Sequence, residues 1–222
     1  MTHPRPLLLR VALVGALLLC AAGARAVLPN NVVVPPPIPP VPPGGGRLLI
    51  EGGWAVPRGD LADGLDETPT GAGARPGFEL GVRWRFDLTP RWSLGPAVHF
   101  LGYGDATGLG ADGEDSLAPA ALVYSVEALV AARDGRARLF AGVAPCVMHR
   151  RLSGPGKDHV TKIKDSSTGL GLSARVGVRL GTSEISAVYH VNRFASYGFF
   201  APGGEQDYNW DTVVLRFGWL LP

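Results

Sequence analysis

The sequence predicts an all-β fold, an eight-stranded antiparallel up-and-down barrel, and three observations lead to it. Apolar residues alternate with polar or small ones in eight separate segments, the connections between those segments are alternately short and long, and an export signal precedes them. Two cysteines in 222 residues exclude a disulfide scaffold and a multi-cysteine zinc module. A net charge of +2 gives no reason to expect nucleic-acid binding.

Residues 1–26 have the three parts of a secretory signal peptide. Arg5 and Arg10 give a basic start, VALVGALLLCAAG is a short apolar run, and the small-residue motif ARA ends at Ala26. The run of about 13 residues is shorter than the roughly 20 that a membrane-spanning helix needs. We therefore expect an exported chain cleaved after Ala26; a signal anchor and a lipoprotein site at Cys20 fit the pattern less well.

Residues 27–46, VLPNNVVVPPPIPPVPPGGG, are expected to form a linker. Clustered proline favours extended polyproline geometry, and the three glycines form a flexible joint. The segment is interpreted as an unstructured spacer, with a docking strip for a partner as the alternative. The barrel domain is then expected over residues 47–222.

Residues 78–88, FELGVRWRFDL, show the alternation most clearly, because every second residue from Phe78 to Leu88 is apolar and those between are charged or glycine. Successive strand residues point to opposite faces, so one face is apolar and the other ionic. About ten residues is the length that a tilted membrane-spanning strand requires. The other segments with this pattern are 47–56, 92–102, 121–131, 137–148, 170–180, 184–192 and 213–221.

The connections are sorted by length. Tight turns are expected at 89–91, 133–136 and 181–183, and long loops at 57–76, 103–118, 149–168 and 193–209. Short turns at one end and long loops at the other are typical of an up-and-down barrel that crosses a membrane, whereas a β-sandwich has no reason to sort its loops in this way.

The aromatic residues are expected to form two belts, one at each membrane interface. The predicted belt residues are Trp84, Phe86, Trp92, Phe217 and Trp219 toward the short turns, and Trp54, Phe78, Phe100 and Trp210 toward the long loops. Each strand alone would also allow the opposite pleat, with aromatics inside, as in a secreted lipocalin-like binder. The export signal, the sorted loops and the glycine-rich inner face favour the transmembrane arrangement.

Over about residues 47–222 the chain resembles the small outer-membrane barrel family of the OmpA/OmpX type. Its last strand, Val213–Leu221, looks like the terminal signal read by the barrel-assembly machinery, although the final aromatic, Trp219, is displaced from the chain end. The resemblance implies a monomer in the outer membrane of a Gram-negative cell, with a structural or surface-interaction role. Its implied partners are outer-membrane lipid and lipopolysaccharide, and no cofactor is implied.

The lumen of this barrel is expected to hold an ionic network. An eight-stranded barrel is just wide enough for side chains to fill, and an unpaired buried charge costs several kcal/mol, so the inward arginines should pair with carboxylates. The predicted network residues are Arg47, Glu51, Glu79, Arg83, Arg85, Asp87, Glu127, Arg138, Arg175, Arg179, Glu184 and Arg216, with His99 and His190 also facing inward. Such a network would plug the bore; a narrow porin-like channel is the alternative.

The predicted loop at 149–168 is basic, and the phosphates of lipopolysaccharide would be natural partners for it. An ordinary solvated loop is the alternative. Its basic residues are Arg150, Arg151, Lys157, Lys162 and Lys164, together with His159.

Two further chemistries are possible. A lipid A-modifying barrel enzyme could use His190, but Asn192 occupies the position where a serine would be wanted, and His190 is expected to face the lumen rather than the lipid. The acidic residues of the second loop could hold Ca²⁺, but their spacing matches no EF-hand, and a solvated loop is the simpler interpretation. Those residues are Asp105, Asp112, Glu114 and Asp115.

Cys146 is expected to be a small residue of the strand wall.

Overall fold

The computed structural model describes residues 46–62, 73–104, 118–132, 137–155, 162–196 and 206–221. The predicted signal peptide and nearly all of the linker lie outside these residues, as do the four acidic residues of the second loop. The described residues contain no helix long and apolar enough to cross a lipid bilayer.

The fold is a closed antiparallel barrel. The strands are β1 (Gly46–Arg58), β2 (Arg75–Asp87), β3 (Trp92–Gly104), β4 (Ala118–Ala131), β5 (Ala137–Pro155), β6 (Lys162–Leu180), β7 (Ser183–Ser196), β8 (Gln206–Asn209) and β9 (Asp211–Leu220). Each of β1 to β6 pairs with the next strand, β7 pairs with both β8 and β9, and β9 pairs with β1. Because β8 and β9 are one strand interrupted at Trp210, the wall has eight strand positions, and the predicted eight-stranded barrel is confirmed.

The register sets the width and tilt of the barrel. A path from Gly46 through directly paired residues returns to β1 at Val56, ten residues further along the strand. The steps pass through Phe86, Leu94, Ala128, Val143, Ala174, Tyr189 and Val213. Eight strands with this stagger give a tilt of about 40° and a backbone radius of about 8 Å, which leaves room inside for side chains only.

The predicted pleat is confirmed where side chains are described, because the predicted apolar faces point outward and the predicted ionic residues Glu51, Arg83 and Glu184 point into the lumen. On β2, Trp84 is exposed whereas Arg83 and Arg85 are buried. The outward side chains include twenty-one exposed large apolar residues among the described part of the chain, which we call the apolar belt. The belt includes Ile50, Trp54, Phe78, Trp84, Trp92, Phe100, Tyr124, Val147, Leu170, Ile185, Leu215, Phe217 and Trp219.

Two predictions about the long-loop end were wrong. The predicted loop 149–168 is largely sheet, because β5 and β6 pair continuously up to Pro155 and Lys162. Trp210 is not part of an outer aromatic belt; it is completely buried inside the barrel. The pairing with β7 keeps one register across the break between β8 and β9, and residue 210 has the parity of the inward residues Thr212 and Val214, so alternation carried back from β9 places this indole in the lumen.

Candidate functional site

The lumen contains the buried polar and charged side chains of the described residues, and we divide it into two parts. The ionic half, nearer the short turns, contains Glu51, Glu79, Arg83, Arg85, Glu127, Arg175, Arg179, Glu184 and Arg216, with His99 and His190. The apolar half, nearer the long loops, contains Ala55, Leu61, Ala74, Leu101, Tyr103, Ala121, Val123, Cys146, Met148, Leu152, Val188, Trp210 and Val214.

Arg83 is the centre of the ionic half. Its guanidinium donates to Glu127 and to Glu184, the latter at 2.5 Å, and it lies 3.2 Å from Glu51. These partners come from β4, β7 and β1, so one β2 side chain crosses the bore to three other strands. A guanidinium has five N–H donors in a planar fork and is well suited to bridging several carboxylates.

Glu184 is the main acceptor of the ionic half. Besides Arg83 it receives Arg85 Nη1 at 2.8 Å, Arg179 Nε at 2.6 Å and Arg175 Nη2 at 3.2 Å. Arg175 also lies 2.8 Å from Glu51. The network is therefore a connected set of bridges rather than a series of separate pairs, because Arg83 and Arg175 each contact three carboxylates.

Glu79 and Arg216 form the other major pair. Arg216 donates to both oxygens of Glu79, at 2.9 and 2.5 Å, which is the bidentate geometry of a strong charge-assisted pair. His99 Nε2 lies 2.9 Å from Glu51, and His190 Nε2 lies 3.6 Å from Glu79. The five arginines of the ionic half face Glu51, Glu79, Glu127 and Glu184 together with Asp87 at its edge, so the fixed charges balance.

An aromatic residue that sequence reasoning missed packs against this network. Phe140 on β5 points inward and is almost completely buried. The guanidinium carbons of Arg175 and Arg179 lie 5.2 and 5.8 Å from the centre of its ring. Such stacking adds to the stabilisation of arginine in a desolvated site. Its inward position could have been predicted from the sequence, because Phe140 is two residues from Gly142 and therefore lies on the same face of β5.

Three predicted network residues lie at the short-turn mouth of the barrel, away from the centre. Asp87 is one-third exposed and pairs with Arg85 Nε at 3.1 Å. Arg47 is half-buried. Arg138 is exposed, and no described carboxylate lies within salt-bridge distance, so its predicted place in the network was wrong. It faces inward by alternation but stands next to the start of β5, where the lumen opens to solvent.

The apolar half is closed by Trp210. The indole packs edge-on against Tyr103, with ring centres 6.4 Å apart, and Arg150 lies over its ring at 5.1 Å. The 3-10 turn Gly59–Leu61 follows β1 and brings Leu61 into the same cluster. The predicted plug was purely ionic; the structure shows that apolar packing closes the long-loop end.

Arg150 corrects the prediction of a basic, lipopolysaccharide-facing loop. It is buried in the lumen, hydrogen-bonds to Ser167 and stacks on Trp210. Arg151, the next residue along β5, is exposed on the outer face. The reason is the strand itself, because adjacent residues on an extended chain must face opposite sides. Lys157 lies outside the described residues, and Lys162 and Lys164 are placed only as backbone positions of β6.

A buried polar cluster lies between the two halves. Ser173 Oγ and His190 Nδ1 are 2.7 Å apart, and Cys146 Sγ lies 3.8 Å from Ser173 and 3.6 Å from Asn192. A serine therefore does adjoin His190, although from β6 rather than from its own strand. Both side chains face the lumen, away from the lipid side, and Cys146 likewise points inward rather than being only a wall residue.

Comparison with protein-family models and with curated proteins finds no match for the chain. Among solved structures, it is similar to Ail, the attachment invasion locus protein of Yersinia pestis, with 18% identity, a TM-score of 0.45, and coverage of 79% of this chain and 99% of that one. It is also similar to Neisserial surface protein A, with 14% identity, a TM-score of 0.46 and coverage of 79% and 96%. A third is the outer membrane protein OprG from Pseudomonas aeruginosa, with 12% identity, a TM-score of 0.43 and coverage of 79% and 96%.

Proposed function

We propose that this chain is an integral protein of the Gram-negative outer membrane, a monomeric barrel with a closed lumen and a structural or surface-contact role rather than an enzymatic one. The observation that carries the proposal is the apolar belt, which surrounds the barrel while the charges lie inside. A soluble lipocalin-like carrier would need the reverse arrangement, because water would meet the outer face.

The dimensions of the belt support the proposal. Along β2 and the residue that follows it, the outward apolar side chains run from Phe78 to Leu88. Ten strand residues tilted by about 40° span about 25 Å along the barrel axis, the height of the apolar band of an outer-membrane barrel. Exposed apolar patches on soluble monomers rarely exceed a few hundred Å². A belt of this extent therefore fits lipid as its surroundings.

The closed lumen favours a structural role over a channel. Bridging arginines block the ionic half and Trp210 blocks the apolar half. The narrow porin-like channel is the second candidate, and Arg175 tests it, because this side chain crosses the bore to Glu51 and Glu184. In planar bilayers we expect no ion conductance from the native protein; conductance that Arg175→Gln changes would favour the channel.

The inward position of His190 supports a non-enzymatic role. A deacylase that trims lipid A needs its histidine beside the acyl chains, whereas His190 lies in the lumen next to Glu79 and Ser173. We expect no change in the mass of lipid A when the protein is expressed. A mass shift that His190→Ala abolishes would instead support the enzyme.

Membrane fractionation and gel migration test the main proposal. A folded barrel should remain with the outer membrane after urea or carbonate extraction, and should migrate faster on a gel before boiling than after it. The N-terminus of the purified protein should follow Ala26 if the predicted signal peptide is removed. Release into the aqueous phase without detergent would contradict the membrane assignment.

A further inference from the structure

The short-turn mouth of the barrel contains two pairs of directly opposed arginines. Arg47 of β1 lies opposite Arg85 of β2, and Arg138 of β5 lies opposite Arg179 of β6. Alternation places all four on the inward face. Directly opposed residues of an antiparallel sheet have Cβ atoms about 5 Å apart, and like charges in such a pair destabilise it. The fold therefore concentrates positive charge at this mouth, where a bound anion would be stabilising.

A single carboxylate serves both arginine pairs. Glu184 Oε1 accepts a hydrogen bond from Arg85 Nη1 at 2.8 Å and another from Arg179 Nε at 2.6 Å. The other oxygen, Oε2, accepts from Arg83 at 2.5 Å and from Arg175 at 3.2 Å. One negative charge is thus shared among four guanidinium groups, and the positive charge on the mouth side of Glu184 is only partly compensated.

Arg138 and Arg179 have N–H donors that the described residues leave unused. Arg179 is held by its Nε and by the ring of Phe140, 5.8 Å away, and no described acceptor bonds its two terminal nitrogens. Arg138 is exposed and has neither a hydrogen bond nor an ion pair with a described residue. Asp87, at the same mouth, pairs with Arg85 instead. Two adjacent guanidinium groups, one of them fixed, therefore offer donors at the opening of the lumen.

The direction of these side chains separates them from the lipid-facing surface. The outward residues next to them are Leu139 on β5 and Val178 on β6, which are paired with each other across the sheet. A lipid headgroup outside the wall would meet these two apolar side chains, whereas the arginines face the bore. An anion that reaches the arginines must therefore enter the mouth from water. The residues between β4 and β5, 133–136, contain two arginines and one aspartate and so do not neutralise this charge.

We propose that the short-turn mouth of the barrel binds an oxyanion, the carboxylate of an acidic peptide or a free phosphate, between Arg138 and Arg179. A guanidinium group offers two parallel N–H donors that match the two oxygens of such a group. The inference goes beyond the proposed function, because it requires only that this mouth is open to water. In the proposed membrane orientation the short turns, and hence the site, face the periplasm.

The test measures binding of rhodamine-labelled hexaglutamate to the full-length protein folded in dodecyl maltoside micelles at low salt, where both mouths are accessible. Arg138→Gln should weaken binding about fivefold, and Arg179→Gln, which removes the fixed and less exposed group, about tenfold. The matched control is Arg151→Gln, which removes an exposed arginine near the opposite end and should leave binding unchanged. Since Arg138 bonds no described residue, its variant should keep the gel migration of the native barrel before boiling.

Competition identifies the source of the oxyanion. Inorganic phosphate should displace hexaglutamate from the native protein more strongly than chloride does at the same ionic strength. Displacement at phosphate concentrations below those of the peptide's own carboxylates would assign the site to the free anion, and weaker displacement would assign it to an acidic peptide.

Three results would overturn the inference. One is unchanged binding in both Arg138→Gln and Arg179→Gln, and another is an equal loss in Arg151→Gln, which would indicate a general attraction to the charge of the protein. The third is competition by phosphatidylglycerol that exceeds competition by inorganic phosphate at the same phosphate concentration, because the ligand would then be a lipid headgroup outside the wall. Failure of the native protein to remain with the outer membrane would contradict the proposed function but not this site.

Discussion

The two halves of the lumen are closed by different chemistry within the same wall of strands. In the ionic half, long side chains from facing strands meet near the axis and satisfy one another through bridges such as Arg83 to Glu184. In the apolar half, smaller wall residues leave a space that Trp210 fills from the last strand position and Leu61 fills from the 3-10 turn after β1. Stability should therefore depend on charge balance in one half and on filled volume in the other.

Removing the central arginine should have the largest effect. Arg83→Met leaves Glu127 and Glu184 buried with one fewer cation, and breaking a buried pair in this way costs about 3–5 kcal/mol of unfolding free energy. Urea unfolding of the protein in vesicles, followed by tryptophan fluorescence, measures the loss. The double variant Arg83→Met with Glu127→Gln should recover part of it, because one uncompensated charge is removed. A loss below about 1 kcal/mol in the single variant would contradict the charge-balance account.

Removing the apolar plug should have the next largest effect. Trp210→Ala opens a cavity at a fully buried site, and truncations of this size cost about 3 kcal/mol or more. The matched control is Trp219→Ala, whose side chain is half exposed in the belt and whose loss lipid can fill. The same urea titration compares the two variants. Equal losses of unfolding free energy in the two variants would show that packing does not stabilise the apolar half.

A pair of glycines sharpens the comparison within the ionic half. A Cβ on Gly177 would be closest to the backbone oxygen of Ile185 and would also lie 2.6 Å from Ser186 Cβ and 2.7 Å from Phe140 Cζ. One on Gly218 would have its nearest contact at 3.4 Å, with Glu51. Gly177→Ala should therefore cost about 1–3 kcal/mol through overpacking. Gly218→Ala should lie within about 0.5 kcal/mol of the native protein. Equal unfolding midpoints for both variants would contradict the close packing around Gly177.

The smallest effect concerns a neutral hydrogen bond in the apolar half. Tyr103 Oη lies 2.7 Å from Thr212 Oγ1, and both side chains are buried. Tyr103→Phe should cost about 1 kcal/mol, because it leaves the threonine hydroxyl without this partner. In a double-mutant cycle with Thr212→Val, the two changes together should cost less than their sum. Additive effects would show that the hydrogen bond contributes nothing.

Alternation alone predicted which side of the wall most side chains face. Strand geometry permits only two directions for a side chain. Once the pleat was chosen, Trp84 therefore had to point outward and Arg83 inward. Much of the ionic half was predictable for the same reason, since a barrel this narrow forces inward arginines and carboxylates together. Phe140 was also on the inward face, but its stacking on Arg175 depends on strand stagger, which the sequence does not show.

The sequence by itself determined the strand number, the sorted connections and the division between an apolar exterior and an ionic interior, because all three depend on a period of two residues. Only the tertiary structure decided which inward groups meet. Trp210 keeps the inward parity of β9, and Arg150 reaches it because β5 extends further than its hydrophobic pattern indicated. Such contacts join residues distant along the chain, and only the stagger of the closed sheet brings them to the same height in the barrel.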